Sequence, residues 1–142
     1  MLYDVSVKNP EIKRQIDLAV GPAFSLIERL RRRGIGVARL PVTNCSSQIR
    51  EKLDRDSNRN ICNLELRPRG IIIGFRSRLN SFALVIPFYT LTISKKTATE
   101  YSLYGEELFV EVKVGPKQKY IHRFMERIIS EKANSAGGSS GG

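Results

Sequence analysis

The sequence contains no tryptophan, a single histidine and only two cysteines. Each shortage removes a class of chemistry. Cys45 and Cys62 are too few for a disulfide framework, and their spacing matches no zinc motif. The histidine, His122, has no second ligand at helical spacing and reads as an ordinary boundary residue. A cysteine–histidine nucleophile would have to use Cys45 or Cys62, and nothing local activates either. Cys62 reads instead as a small apolar residue of a strand. Gly34-Ile35-Gly36 lacks the rest of a dinucleotide or phosphate-loop fingerprint and follows a helix where a strand is required. Glu106-Glu107 falls on a hairpin turn, where acidic side chains are usually solvated. No enzyme and no cofactor are expected.

No apolar run approaches the roughly 20 residues of a membrane-spanning helix. Met1-Leu2-Tyr3-Asp4 does not open a basic-then-apolar signal peptide. A reducing, cytoplasmic setting is therefore expected, in which the sequon Asn44-Cys45-Ser46 is idle.

Positive charge is abundant. Among 142 residues, 24 are basic and 14 acidic, giving a net charge of +10. A surplus of this size favours an anionic partner: an acidic protein, an acidic lipid surface or nucleic acid. The apolar fraction of 41% is that of a globular chain, and a chain this long buries enough surface for one core.

The first 60 residues read as a helical region. Asn9-Pro10 is an N-cap followed by a first-turn proline, and Ile12, Ile16 and Ala19/Val20 recur at helical spacing. Gly21-Pro22 interrupts this pattern: either the helix kinks there or a second begins, with Ala23, Leu26/Ile27 and Leu30 facing inward. Arg29, Arg31, Arg32 and Arg33 precede Gly34, an arrangement that suits a helix C-terminus as well as an anion. Ile35 to Val42 reads as extended, and Gln48 to Asp54 as a short helix capped by Ser46 or Ser47.

After Ile61 the period changes to two. Cys62, Leu64 and Leu66 alternate with Ile61, Asn63 and Glu65, and Arg67-Pro68-Arg69-Gly70 forms a turn. Ile71–Phe75, Phe82–Ile86, Tyr89–Ile93, Thr99–Leu103 and Leu108–Val114 follow as further strands, with a bend at Pro87 and a turn at Gly105-Glu106. Gly115-Pro116 opens a last helix whose apolar face is Ile121, Phe124, Met125 and Ile128. The expected fold is α+β: an antiparallel meander over residues 61–134 closed by an amphipathic helix, then a flexible Gly/Ser tail over 135–142.

Asp54, Asp56, Asn58, Asn60 and Glu65 have the spacing of an EF-hand calcium loop. Arg59 occupies the sixth position, where glycine is expected, and the residues after the loop alternate as a strand. A polar helix-to-strand connection explains the same residues.

The meander, the step Ile86-Pro87-Phe88-Tyr89 and the closing amphipathic helix together resemble a pleckstrin-homology-like (PH/GRAM-type) domain over about residues 61–132. The resemblance implies a bent antiparallel sandwich or barrel capped by the helix and used as a binding or adaptor module. In lipid-binding members, bases in the loop joining the first two strands hold inositol phosphates; Arg67 and Arg69 occupy that loop if Ile61 begins the first strand. The charge distribution adds Lys95, Lys96, Arg31, Arg32 and Arg33 to Arg67 and Arg69 as candidate anion-binding residues. Arg76 and Arg78 lie at the far end of the Ile71–Phe75 strand, roughly 20 Å from Arg67 and Arg69 at strand rise. The first expectation is a non-catalytic module engaging an anionic protein or membrane surface. The second is a nucleic-acid-binding domain, in which Tyr89, Tyr101 or Tyr104 would stack bases. A calcium-binding protein is the third.

Overall fold

The computed structural model describes residues 1–54, 60–77 and 79–141. Among the described residues, eight strands and four helices follow one another as β1 (Leu2–Asp4), α1 (Pro10–Val20), α2 (Leu26–Arg31), β2 (Gly36–Cys45), α3 (Ser47–Asp54), β3 (Ile61–Arg67), β4 (Gly70–Ser77), β5 (Asn80–Pro87), β6 (Thr92–Thr97), β7 (Glu100–Tyr104), β8 (Phe109–Lys113) and α4 (Lys119–Gly141). All strands join one antiparallel sheet in the order β1-β5-β4-β3-β2-β8-β7-β6. The fold is α+β, as expected, with an unclosed sheet, a C-terminal helix and an N-terminal helical region.

The order forces the sheet to curl. β5 is second from one edge and β6 forms the other edge, yet only Phe88 to Leu91 connect them. Six inter-strand steps would place them about 29 Å apart in a flat sheet, whereas this connection reaches at most about 18 Å. The sheet therefore bends back on itself, and a Cβ at Gly105 in the β7–β8 turn would stand 3.5 Å from Ile86 of β5. The expected strand Tyr89–Ile93 does not form as such. The Pro87 carbonyl accepts from the N–H groups of Thr90 and Leu91, so the chain turns at Phe88-Tyr89-Thr90 and β6 starts only at Thr92.

The first 60 residues supply strands as well as helices. β2 lies in the middle of the sheet, pairing β3 through Val37↔Leu64 and β8 through Val42↔Val112, with an irregularity in each register. β1, which the sequence pattern does not announce, pairs β5 through Tyr3↔Ala83. α4 runs to Gly141, into the segment expected as a tail.

The main core fills the concave side of the curl. Leu40, Leu64, Ile71, Ile73, Leu84, Leu103, Val110 and Val112 meet Ile121, Phe124, Met125 and Ile128 of α4 there. The last helix is thus a lid across the sheet, on the face its sequence indicates. A second core lies on the convex side, where Ile16 and Val20 of α1 cover Ile72, Ala83 and Val85. β4 is consequently covered on both faces, which is why Ile71-Ile72-Ile73 is an unbroken apolar run rather than an alternation.

α1 begins as its cap predicts, with the Asn9 side chain accepting from the N–H groups of Glu11 and Ile12 at 3.0 and 3.3 Å. α2 departs from expectation. Leu26, Ile27 and Leu30 are 73, 68 and 73% exposed, and Ala23 is exposed as well. The break at Pro22 frees the rotational phase of α2 from that of α1. The Ser25 hydroxyl caps it by accepting from the Glu28 N–H, and the polar side of α2 is the one that binds the body of the protein.

Close approach of α1 to the sheet requires Gly70. A Cβ there would stand 2.5 Å from the Ile86 carbonyl oxygen and 2.5 Å from Val20 Cγ1. Gly70→Ala is expected to destabilise the fold by about 1–3 kcal/mol in urea unfolding. At Gly74 the nearest atom would be 3.9 Å away, so Gly74→Ala should change stability by less than about 1 kcal/mol.

Candidate functional site

The basic side chains divide into those spent on the fold and those presented outward. Arg67 belongs to the first group. Its side chain is only 13% exposed; Nε donates to Glu65 at 2.6 Å, and Nη1 donates to Asp17 at 3.2 Å and to the Gly21 carbonyl at 2.9 Å. Arg69 Nη2 donates to the carbonyls of Asp17 and Leu18, and its N–H donates to the Val20 carbonyl. The β3–β4 turn thus supplies the donors that the end of α1 needs once Pro22 stops the helix. Because β1 and β2 precede β3 in the chain, this turn joins the third and fourth strands of the sheet rather than its first two.

Lys95 and Lys96 are separated by the alternation of β6. Lys96 Nζ pairs at 2.9 Å with buried Glu111, while Lys95 Nζ lies 5.8 Å from the centre of the Tyr101 ring. Lys95 faces a hollow of about 350 Å³ also lined by Lys119, His122, Arg123 and Glu126. Lys119 and Arg123 face the same hollow from adjacent turns of α4, a juxtaposition the sequence conceals because β6 comes from elsewhere in the chain. His122 is held: Nδ1 is 2.7 Å from the Tyr101 hydroxyl and Nε2 is 3.1 Å from the Gly115 carbonyl. It clips the start of α4 to β7. Burial, followed by the nearby Glu126 charge, raises the Tyr101 phenol.

Of the tyrosines considered for stacking, Tyr101 is buried, Tyr104 is 43% exposed and stacked on Phe109, and Tyr89 is 85% exposed at a turn. They do not form one platform of strand residues.

Asp56 and Asn58 of the calcium-loop pattern lie outside the described residues, as do Arg59 and Arg78. Asp54 ends α3, and Asn60 is exposed just before β3. Glu65 lies inside β3, opposite Ile72, and is paired with Arg67. Its carboxylate is committed to the clasp on α1 and sits on a strand rather than on an exiting helix. Among the described residues no group of three or more metal-ligating side chains converges, and no helix is long and apolar enough to cross a membrane.

The arginines of α2 remain. Arg32 Nη1 donates to Glu131 of α4 at 2.6 Å, and its guanidinium lies 4.3 Å from the centre of the Phe24 ring. Arg127 of α4 donates to the Gly34 carbonyl at 2.7 Å. The Glu28/Arg32 side of α2 is therefore the docked side. At about 100° per residue, Leu26, Leu30 and Ile27 share the opposite face, with Arg29 on one flank and Arg31 on the other. Arg29 Nε donates to the Phe24 carbonyl, Arg31 pairs with Glu28 at 3.2 Å, and exposed Arg33 closes the helix at φ 58°. A stripe of exposed aliphatic side chains with cations along both sides is the chemistry of an interfacial helix.

No family model, no curated protein and no solved structure matches this chain.

Two consequences can be measured. Asp17 titrates below the ordinary carboxylate value: burial opposes its charge, but Lys13 and Arg67 outweigh that penalty. Its contribution to stability is complete above the unfolded value of about 3.9 and is lost as the pH falls through the lower folded value. Arg67→Ala should cost about 2–4 kcal/mol at neutral pH, and less in acid, where Asp17 becomes protonated; urea unfolding at the two pH values reads the difference. Burial, reinforced by Cys45, pushes the Cys62 thiol up to about 12. Cys62 should therefore resist a thiol-alkylating reagent in the native protein and react only on unfolding, as followed by intact mass.

Proposed function

We propose that this chain is a non-catalytic binding module that seats on an anionic membrane surface through α2. The observation that carries the reading is the outward face of Leu26, Ile27 and Leu30 between Arg29 and Arg31. A water-facing helix would reverse that pattern. The curled antiparallel sheet with α4 across it agrees with what a PH-like resemblance implies, and the net charge of +10 favours an acidic surface. The negatively charged cytoplasmic leaflet is the surface such a module would meet.

The magnitudes suit reversible attachment. Each aliphatic side chain transferred out of water contributes about 1.5–3 kcal/mol when fully buried, and each arginine near an acidic surface about 1 kcal/mol. A six-residue helix offers too little area for permanent insertion.

Co-sedimentation with vesicles tests this. Binding is expected to vesicles containing phosphatidylserine and not to pure phosphatidylcholine. Arg29→Ala/Arg31→Ala should weaken it about thirtyfold, the equivalent of about 2 kcal/mol. Leu26→Ser/Leu30→Ser should weaken it at least tenfold while leaving the unfolding midpoint unchanged, since both side chains are exposed. Failure of the unaltered protein to sediment, or binding by either variant as tight as that of the unaltered protein, overturns the reading. Tighter binding to a single-stranded oligonucleotide, lost in the arginine variant alone, would instead identify nucleic acid as the partner.

A further inference from the structure

A groove of about 920 Å³ lies between the β1–β5 edge, α3 and the β7–β8 turn. It shares no residue with α2, and its charge has the opposite sign to that of the protein. Asp4, Glu51, Glu106 and Glu107 line it against two cationic groups, the Lys52 side chain and the Met1 ammonium that Glu106 and Glu107 attract, in a chain with ten more bases than acids. Lys52 is partly occupied, its Nζ lying 4.7 Å from the centre of the Phe82 ring. The Asp4 carboxylate is held ionised by hydrogen bonds from the side chain and backbone of Ser6.

One wall of the groove is backbone. β1 is an edge strand, and its pairing fixes which of its peptide groups are used. Val85 N–H donates to the Met1 carbonyl and Val5 N–H donates to the Ser81 carbonyl, both at 2.8 Å. In an antiparallel ladder, hydrogen-bonded residues alternate with residues whose N–H and C=O point away. Met1, Tyr3 and Val5 therefore face β5, whereas the N–H and C=O groups of Leu2 and Asp4 point to the free edge. Leu2 and Asp4 also line the groove. Its floor carries apolar Leu2, Phe82, Leu84 and Leu108, on which every second side chain of an extended segment could rest.

We propose that this groove takes an extended peptide segment bearing lysine or arginine, which adds to the free edge of β1 as a further strand. The outward peptide groups of Leu2 and Asp4 supply up to four backbone hydrogen bonds. The basic side chains of the phase that faces the groove meet Glu51, Glu106 and Glu107 with their aliphatic stems on Phe82 and Leu84, and the alternate apolar ones point to the opposite face of the sheet. The partner is thus a basic, extended stretch of protein. The groove is separate from the acidic surface met by α2, so either site can fail without the other.

The experiment uses fluorescence anisotropy with a labelled peptide of alternating lysine and valine. Two further versions are N-methylated, one on every lysine and the other on every valine. Strand addition uses the N–H groups of only one phase, so one methylated version should bind like the parent and the other at least tenfold more weakly. A peptide with glutamate in place of lysine should not bind. Glu106→Lys/Glu107→Lys, on an exposed turn, should weaken the parent peptide about tenfold with no change in unfolding midpoint. The proposal is overturned if the parent peptide fails to bind, if the two methylated versions bind equally, or if charge reversal at Glu106 and Glu107 has no effect.

Discussion

The end of α1 is the constraint from which much of the rest follows. Pro22 forbids the helix to continue, leaving its last carbonyls to find donors in a half-buried place. The β3–β4 turn provides them through Arg67, Arg69 and the Arg69 amide, and Gly70 lets the two backbones close to contact distance. This clasp holds Ile16 and Val20 over the convex face of β4 and β5. It also fixes where the chain leaves α1, whereas the side of α2 that meets the body is set by the Arg32–Glu131 pair and the Phe24 contact.

The clasp also explains why net charge is a poor guide to where a basic protein binds. Arg67, Arg69, Arg32 and Lys96 are bound to carboxylates or carbonyls of the fold. Releasing such a group to an external anion would leave its internal partner unsatisfied, at a cost of several kcal/mol for a poorly exposed pair such as Arg67–Asp17. Arg29, Arg31 and Arg33 are exposed, and an exposed pair like Arg31–Glu28 costs little to exchange. The surface also segregates sign, with cations flanking α2 and carboxylates lining the groove beside β1. The proposed engagement of an acidic surface and a basic segment rests on that separation.

The elements most legible in sequence are those whose pattern is repeated and local. The cap Asn9-Pro10, the alternation from Cys62 to Leu66 and the stripe Ile121, Phe124, Met125 and Ile128 all emerge where the pattern places them. What stayed hidden depended on distant partners. Leu26, Ile27 and Leu30 have the spacing of an inward face, but Arg32–Glu131 and the Phe24 contact turn that face outward. Met1 to Asp4 is too short to show a period, and its strand character exists only opposite β5. Arg67 looked free because Asp17 lies fifty positions earlier in the chain. The hollow beside α4 gathers Lys95 with Lys119 and Arg123 only once the sheet has curled.

The central position of β2 governs how such a chain can assemble. β3 to β5 and β6 to β8 are each built from neighbours in sequence, but the strand that unites them was synthesised before either. Val42 meets Val112, seventy positions later, and β1 must wait for β5. A ribosome delivering this chain from its N-terminus therefore releases β1 and the β8-facing edge of β2 well before β5 and β8 exist, although β3 follows β2 closely enough to pair with it early. Non-local closure of this kind slows folding, and the nascent chain spends that interval with unpaired strands and apolar side chains available to chaperones.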